Sequence, residues 1–191
     1  MFNNEVYWYN ASRGKITENF VREHKDQLDW RVLSRNKHLT DNMIREFHDR
    51  VDWDLLCCDA KLSESIMREF HDQLEWSDIC LYQVLSEDFI RDFKDVVKWR
   101  LVSKCQEISD NFIREFHYLI HWNVLCIYKD VSESILEEFN YKLPWNIVSR
   151  HQCFSKEFAI KYIDKLDESC VLNEKISQEL KDEILIYKQL A

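Results

Sequence analysis

Apolar residues recur along this chain on two superposed periods. Phe89 and Phe93, Phe112 and Phe116, and Met43 and Phe47 lie four residues apart, with Ile90, Ile113 or Ile44 beside them. That spacing gathers the apolar side chains into one stripe along a helix. The longer period is marked by tryptophan: Trp30, Trp53, Trp76, Trp99, Trp122 and Trp145 follow one another at a constant, unbroken interval. A fixed period of this order marks an array in which each repeat buries its apolar face against its neighbours.

The repeats begin at Ile16, Leu39, Leu62, Leu85, Ile108, Val131 and Phe154, each a large apolar residue followed by a hydroxyl: Thr17, Thr40, Ser63, Ser86, Ser109, Ser132 and Ser155. In the best-kept copies an acidic residue comes next, as in Ser86-Glu87. A hydroxyl that accepts from a free N–H, with an acid in the positive first turn, predicts a helix start, and losing one such cap costs roughly 1 kcal/mol. After an expected three turns come Val51, Leu74 or Val97, one further residue and the Trp, which opens a second and shorter helix. Asp29, Asp52 and Glu75 suit the start of that helix, and Pro144 is expected within its first turn, where its missing N–H is harmless.

One Gly and one Pro leave no supply of hairpin turns, and no segment alternates as a strand does. The fold class expected is therefore all-α: an α-solenoid of tandem 23-residue two-helix repeats with atypical caps at both ends. Trp8 precedes Trp30 by one place less than the regular interval, so residues 1–15 read as an N-terminal half-repeat. Six regular repeats fill 16–153, a divergent one with Glu168 in the Trp column fills 154–175, and a closing helix capped by Ser177 fills 176–191. With no linker or low-complexity stretch, the expectation is a single, complete, elongated domain.

No apolar run approaches the roughly 20 residues of a membrane span, and no signal peptide is evident. Of seven cysteines, Cys57, Cys80 and Cys126 share a column with Ser34, Ser103 and Ser149, so the column calls for a small side chain rather than for sulfur. A soluble, cytoplasmic protein with reduced thiols is expected.

Candidate chemistry is sparse. The Trp ladder has the makings of a stacking platform for bases, but a spine buried between repeats is the expected role. Arg22, Arg45, Arg68, Arg91 and Arg114 form a column flanked by acids four residues before and directly after. These spacings predict an ion-pair ladder, and with a net charge of −9 they argue against a nucleic-acid groove. His48, His71 and His117 share a column, yet stacked repeats hold equivalent positions about 8–10 Å apart, too far for one zinc ion. No metal, no cofactor and no catalytic set is expected, and the chain reads as non-enzymatic.

The columns that do not repeat follow the second helix: Arg35-Asn36-Lys37-His38, Leu81-Tyr82-Gln83-Val84, Lys104-Cys105-Gln106-Glu107, Ile127-Tyr128-Lys129-Asp130 and Arg150-His151-Gln152-Cys153 among them. Their variation implies that the fold does not dictate them. Tyr82, Tyr128, Arg150 and His151 are the candidate partner-binding residues, because aromatic and Arg side chains dominate binding hot spots.

The phrase Leu85-Ser86-Glu87-Asp88-Phe89-Ile90-Arg91-Asp92-Phe93-Lys94-Asp95-Val96-Val97-Lys98-Trp99 resembles short helical repeats in uncharacterised proteins of large DNA viruses, phages and some of their hosts. The resemblance spans roughly residues 16–175 and carries no ligand residues with it. It implies a viral or phage origin and an infected host cell. The expected function is a monomeric protein–protein interaction module that blocks a host or defence protein through the partner's basic surface. Two alternatives stand beside it, a single-stranded RNA reader with one repeat per base and a nucleotide or small-molecule sponge between repeats.

Overall fold

The computed structural model describes residues 4–190, and it is helical throughout apart from turns and short extended links. The chain divides into two compact halves, Met1–Lys98 and Trp99–Ala191, each built of periodic two-helix repeats stacked on one another. In the N-terminal half the first helices are Glu18–His24, Asp41–Glu46, Glu64–Glu69 and Glu87–Asp92, and the second are Trp30–Leu33, Trp53–Asp59 and Trp76–Tyr82. In the C-terminal half the second helices Trp99–Cys105, Trp122–Tyr128 and Trp145–His151 alternate with the first helices Asp110–Glu115, Glu133–Glu138 and Lys156–Lys161.

Each helix start lies where the hydroxyl column puts it. Thr17, Thr40, Ser63, Ser86, Ser109, Ser132 and Ser155 accept, through the side-chain oxygen, from the backbone N–H three residues on. Ser177 does the same for Leu180, at 3.1 Å, beside the start of the closing helix Gln178–Leu190. The third and fourth residues after each cap point into the core. Phe89, Ile90, Ile66, Met67, Ile135 and Leu136 are all fully buried.

The relative helix lengths differ from the expectation. The first helix runs six residues in most repeats, not three turns, and the second runs seven. The break falls at the second aromatic of the stripe, where Phe47, Phe70, Phe93, Phe116 and Phe139 sit at φ of −106° to −122° and ψ of 21° to 29°. That bridge conformation is outside the helical basin, so the chain continues as a turn, as in Arg50 N–H to Phe47 O at 2.9 Å. Pro144 also stands one place earlier than expected. It occupies the cap itself, with ψ of 88°, and Trp145 is the first helical residue.

The Trp column joins neighbouring repeats, but as a half-buried seam rather than a buried spine, with Trp122 alone below one-tenth exposed. Each indole packs on an aromatic ring of the next repeat: Trp30 on Phe47, Trp53 on Phe70 and Trp76 on Phe93, each at 5.0 Å, then Trp122 on Phe139 and Trp145 on Tyr162, each at 5.1 Å. Such ring pairs contribute about 0.5–1.5 kcal/mol beyond their buried area. The indole N–H reaches back five residues to a carbonyl, as in Trp30 to Lys25 at 2.7 Å and Trp145 to Asn140 at 3.0 Å.

The small column is fully buried. Ser34, Cys57, Cys80, Ser103, Cys126 and Ser149 are each 0% exposed. Smallness is only half of the reason. Ser34 donates to Trp30 O at 2.7 Å and accepts from Asp52 N–H at 2.8 Å, and Ser149 donates to Trp145 O at 2.7 Å and accepts from Asp167 N–H at 3.0 Å. Ser103 accepts from His121 N–H at 3.1 Å and Cys80 from Lys98 N–H at 3.3 Å. The column satisfies a backbone donor of the following repeat, which a buried methyl group would leave unpaired. Opposite Cys126 the corresponding residue is Pro144, which has no N–H to offer.

The helix Asn4–Arg13 fills the place of a second helix at the start of the N-terminal half. Its Ser12 donates to Trp8 O at 2.8 Å and accepts from Asp29 N–H at 2.9 Å, as the small column does elsewhere. In the last repeat the second helix is replaced by a 3-10 turn, Glu168–Leu172.

Candidate functional surfaces

Several residues of the non-repeating columns are structural. Gln83 and Gln152 are buried, and each clamps the end of the preceding second helix. Gln152 donates to Cys126 O at 2.7 Å and Lys129 O at 2.8 Å and accepts from Val131 N–H at 2.8 Å. Gln83 makes the same three bonds to Cys57 O, Ala60 O and Leu62 N–H. Asn36 bonds Ser12 O and Gly14 O, and Asn173 bonds Ser149 O and Gln152 O. Gln106 is likewise buried. The fold therefore dictates one position in these segments. A buried primary amide is used because it can donate twice and accept once at the same site.

The Arg column forms the expected ladder, with its main rungs between repeats rather than within a helix. Arg22 meets Glu46 at 2.7 Å, Arg45 meets Glu69 at 2.6 Å, Arg68 meets Asp92 at 2.5 Å and Arg114 meets Glu138 at 2.7 Å, each acid lying in the following repeat. Hydrogen bonding to Glu46 raises the pKa of Arg22. The first acid of each helix binds the next repeat's cap. Glu18 accepts from Thr40 Oγ1 at 2.9 Å and Asp41 from Ser63 Oγ at 2.6 Å, and the Thr40 bond is the main cause holding the Glu18 carboxyl below its ordinary value. These cations are occupied by the stacking itself.

His48 and His71 turn Nδ1 to the carbonyls of Arg45 and Arg68, at 3.0 and 3.1 Å, and in the next repeat His48 stacks on Phe70 while His71 packs at a tilt against Phe93. His117 stacks on Phe139 with its Nδ1 buried and unpaired. No group of three or more His, Cys, Asp or Glu among the described residues could hold a metal ion. Burial pushes the thiols of Cys57 and Cys126 up to about 11 and about 12. No helix among the described residues is long and apolar enough to cross a membrane.

Of the predicted partner-binding residues, Tyr82 ends the helix Trp76–Tyr82 and is 56% exposed. Tyr128 ends Trp122–Tyr128 at 55%, with Lys104 Nζ 4.7 Å from its ring centre. Arg150 is exposed and His151 half-buried at the end of Trp145–His151, one repeat beyond Tyr128. Tyr128 shares its half with Arg150 and His151, and no hydrogen bond, ion pair or ring contact among the described residues joins it to either. Beside Tyr82, Val84 is 88% exposed.

The sequence reading passed over Tyr118 and Tyr141. They stand one repeat apart in the column that holds Asp49, Asp72 and Asp95 elsewhere, and they are 61% and 69% exposed. The Asp-to-Tyr change was visible in that alignment. No protein-family model matches the chain, and no curated protein or solved structure is significantly similar to it.

Proposed function

We propose that this chain is a non-enzymatic protein-interaction module whose binding elements are the exposed side chains that the repeats do not use. The observation that carries the reading is the pair Tyr118 and Tyr141, aromatic rings held in solvent at a position other repeats fill with aspartate. Their ring contacts, Tyr118 on His117 at 5.7 Å and Tyr141 on Phe139 at 6.4 Å, leave most of each side chain in solvent, and tyrosine is among the residue types that dominate interaction hot spots. Tyr82 with Val84, Tyr128 beside Lys104, and Arg150 are further exposed contact elements, with the half-buried His151 next to Arg150. A net charge of −9 favours a partner with a basic surface. The resemblance to viral and phage repeats extends the reading to a factor that occupies a host or defence protein inside an infected cell.

The test is capture from lysate with the tagged chain, with and without nuclease, repeated with Tyr118→Asp/Tyr141→Asp. These substitutions install the residue other repeats already carry, so the melting temperature is expected to hold. A protein recovered under both nuclease conditions and lost with the double variant supports the reading. Capture unaffected by that variant, by Tyr82→Ala and by Tyr128→Ala overturns it, and enrichment abolished by nuclease transfers the function to RNA.

A further inference from the structure

In the N-terminal half an open cleft of about 790 Å³ is lined by Tyr9, Arg13, Arg31, Arg35, Lys37 and Asp59 together with Asp29. Its walls are the helix Asn4–Arg13, the short helix Trp30–Leu33 with the turn after it, and the end of Trp53–Asp59. Four cations face two carboxylates, in a chain whose net charge is −9.

Both carboxylates are engaged. Asp59 pairs with Arg35 at 3.1 Å, and Asp29 Oδ1 accepts from the backbone N–H groups of Arg31 and Val32 at 3.0 and 3.1 Å. Arg13, Arg31 and Lys37 are exposed and have no acidic partner within salt-bridge distance among the described residues. This sets them apart from the Arg column, whose cations hold repeat to repeat. No other repeat is basic at all three positions, although Arg100 and Lys104 fill two of them. One repeat later the counterparts of Arg31, Arg35 and Lys37 are Asp54, Cys58 and Ala60.

We infer that this cleft binds a small ligand carrying a diphosphate or triphosphate group, with Arg13, Arg31 and Lys37 on the phosphates and Tyr9 offering its ring to an attached base. A guanidinium fork matches the spacing of phosphate oxygens and binds them in bidentate fashion. Two clustered, unneutralised arginines beside a lysine are most favourable to a compact anion of two or more charges. The cavity volume lies within the range of small-molecule sites, roughly 300–1,000 Å³, which suits one nucleotide. The inference stands apart from the protein-interaction reading, which rests on other residues.

The test is isothermal titration of the full chain, at low salt, with inorganic pyrophosphate, ADP, ATP and a single-stranded oligonucleotide. Binding of pyrophosphate, ADP and ATP that weakens as salt is added is expected. Tighter binding of ADP than of pyrophosphate assigns a role to Tyr9, and equal affinities identify free polyphosphate as sufficient. Arg31→Ala and Lys37→Ala, both at exposed positions, should each weaken ATP by about tenfold or more while the melting temperature holds. No heat up to millimolar ligand, or affinity unchanged in both variants, overturns the proposal. Binding of the oligonucleotide with none of the mononucleotides overturns it in favour of a nucleic-acid contact.

Discussion

Glu137 and Lys161 lie 2.9 Å apart with their charges in the opposite order from the other described rungs of the ladder. Glu137 stands in the Arg column and Lys161 in the column of the acids Glu46, Glu69, Asp92 and Glu138, so this rung is the same contact with both partners exchanged. Hydrogen bonding to Glu137 raises the Lys161 pKa. Glu137→Arg alone sets two cations against each other and should lower the melting temperature, as should Lys161→Glu. The double exchange should recover most of the loss. Solvent exposure keeps every effect small, so the informative quantity is the coupling in a double-mutant cycle, and a coupling of zero would remove the ladder from the account of stacking.

The amide clamp predicts a much larger effect. Gln152→Leu keeps the approximate volume but orphans Cys126 O, Lys129 O and Val131 N–H in a buried site. A loss of roughly 3 kcal/mol is expected, from a typical 1–3 kcal/mol for each unsatisfied buried group and partial relaxation. Urea unfolding measures it as a lower midpoint. A midpoint within error of wild type would mean that those carbonyls find water.

Acid should loosen the helix caps. The depressed carboxyl of Glu18, held by Thr40, and that of Glu75, held chiefly by the Ser77 N–H, bind protons less readily folded than unfolded. Their contribution is therefore complete above the ordinary glutamate value of 4.5 and is lost as pH falls below it through the lower folded values. Melting temperatures from pH 7 to pH 3 should decline in that window, and Glu18→Gln should fall less steeply than wild type.

Thiol labelling should divide the cysteines by position. Cys153 is exposed, whereas Cys57 and Cys126 are fully buried with thiols pushed to about 11 and about 12, so they carry almost no thiolate near neutrality. Maleimide at neutral pH should modify Cys153 within minutes and the other two only after denaturant is added, as mass spectrometry of digests would show. Early labelling of Cys57 would reveal local opening of its repeat.

The repeat, its caps and the small column were legible in the sequence because each obeys a local rule: a hydroxyl before an acid, apolar residues four apart, a large ring at a fixed interval. The shortened first helix was not, because Phe47 and its equivalents look like ordinary helical residues and leave the helix only through the turn that follows. The clamp was half legible. Gln83, Gln106 and Gln152 share one column, but Asn36 serves from a second helix shortened to four residues and the repeat after Gln106 has Lys129, so the column reads as variable. Tyr82 and Tyr128 were visible as exposed aromatics, whereas the basic cleft was hidden because Tyr9, Arg13, Arg31 and Asp59 come from separate segments.

The links between neighbouring repeats, indole to ring, hydroxyl to N–H, amide to carbonyl and guanidinium to carboxylate, each join a residue of one repeat to a fixed position in the adjoining one. A gene that gained or lost one whole copy by unequal recombination would leave most remaining copies facing a neighbour of the right kind, the exchanged rung of Glu137 and Lys161 being the exception. A frame-preserving insertion inside a copy would misalign all four links together. Selection on such a gene can therefore adjust the number of copies freely while each copy's length stays fixed, and novelty is confined to the surface positions that no link requires.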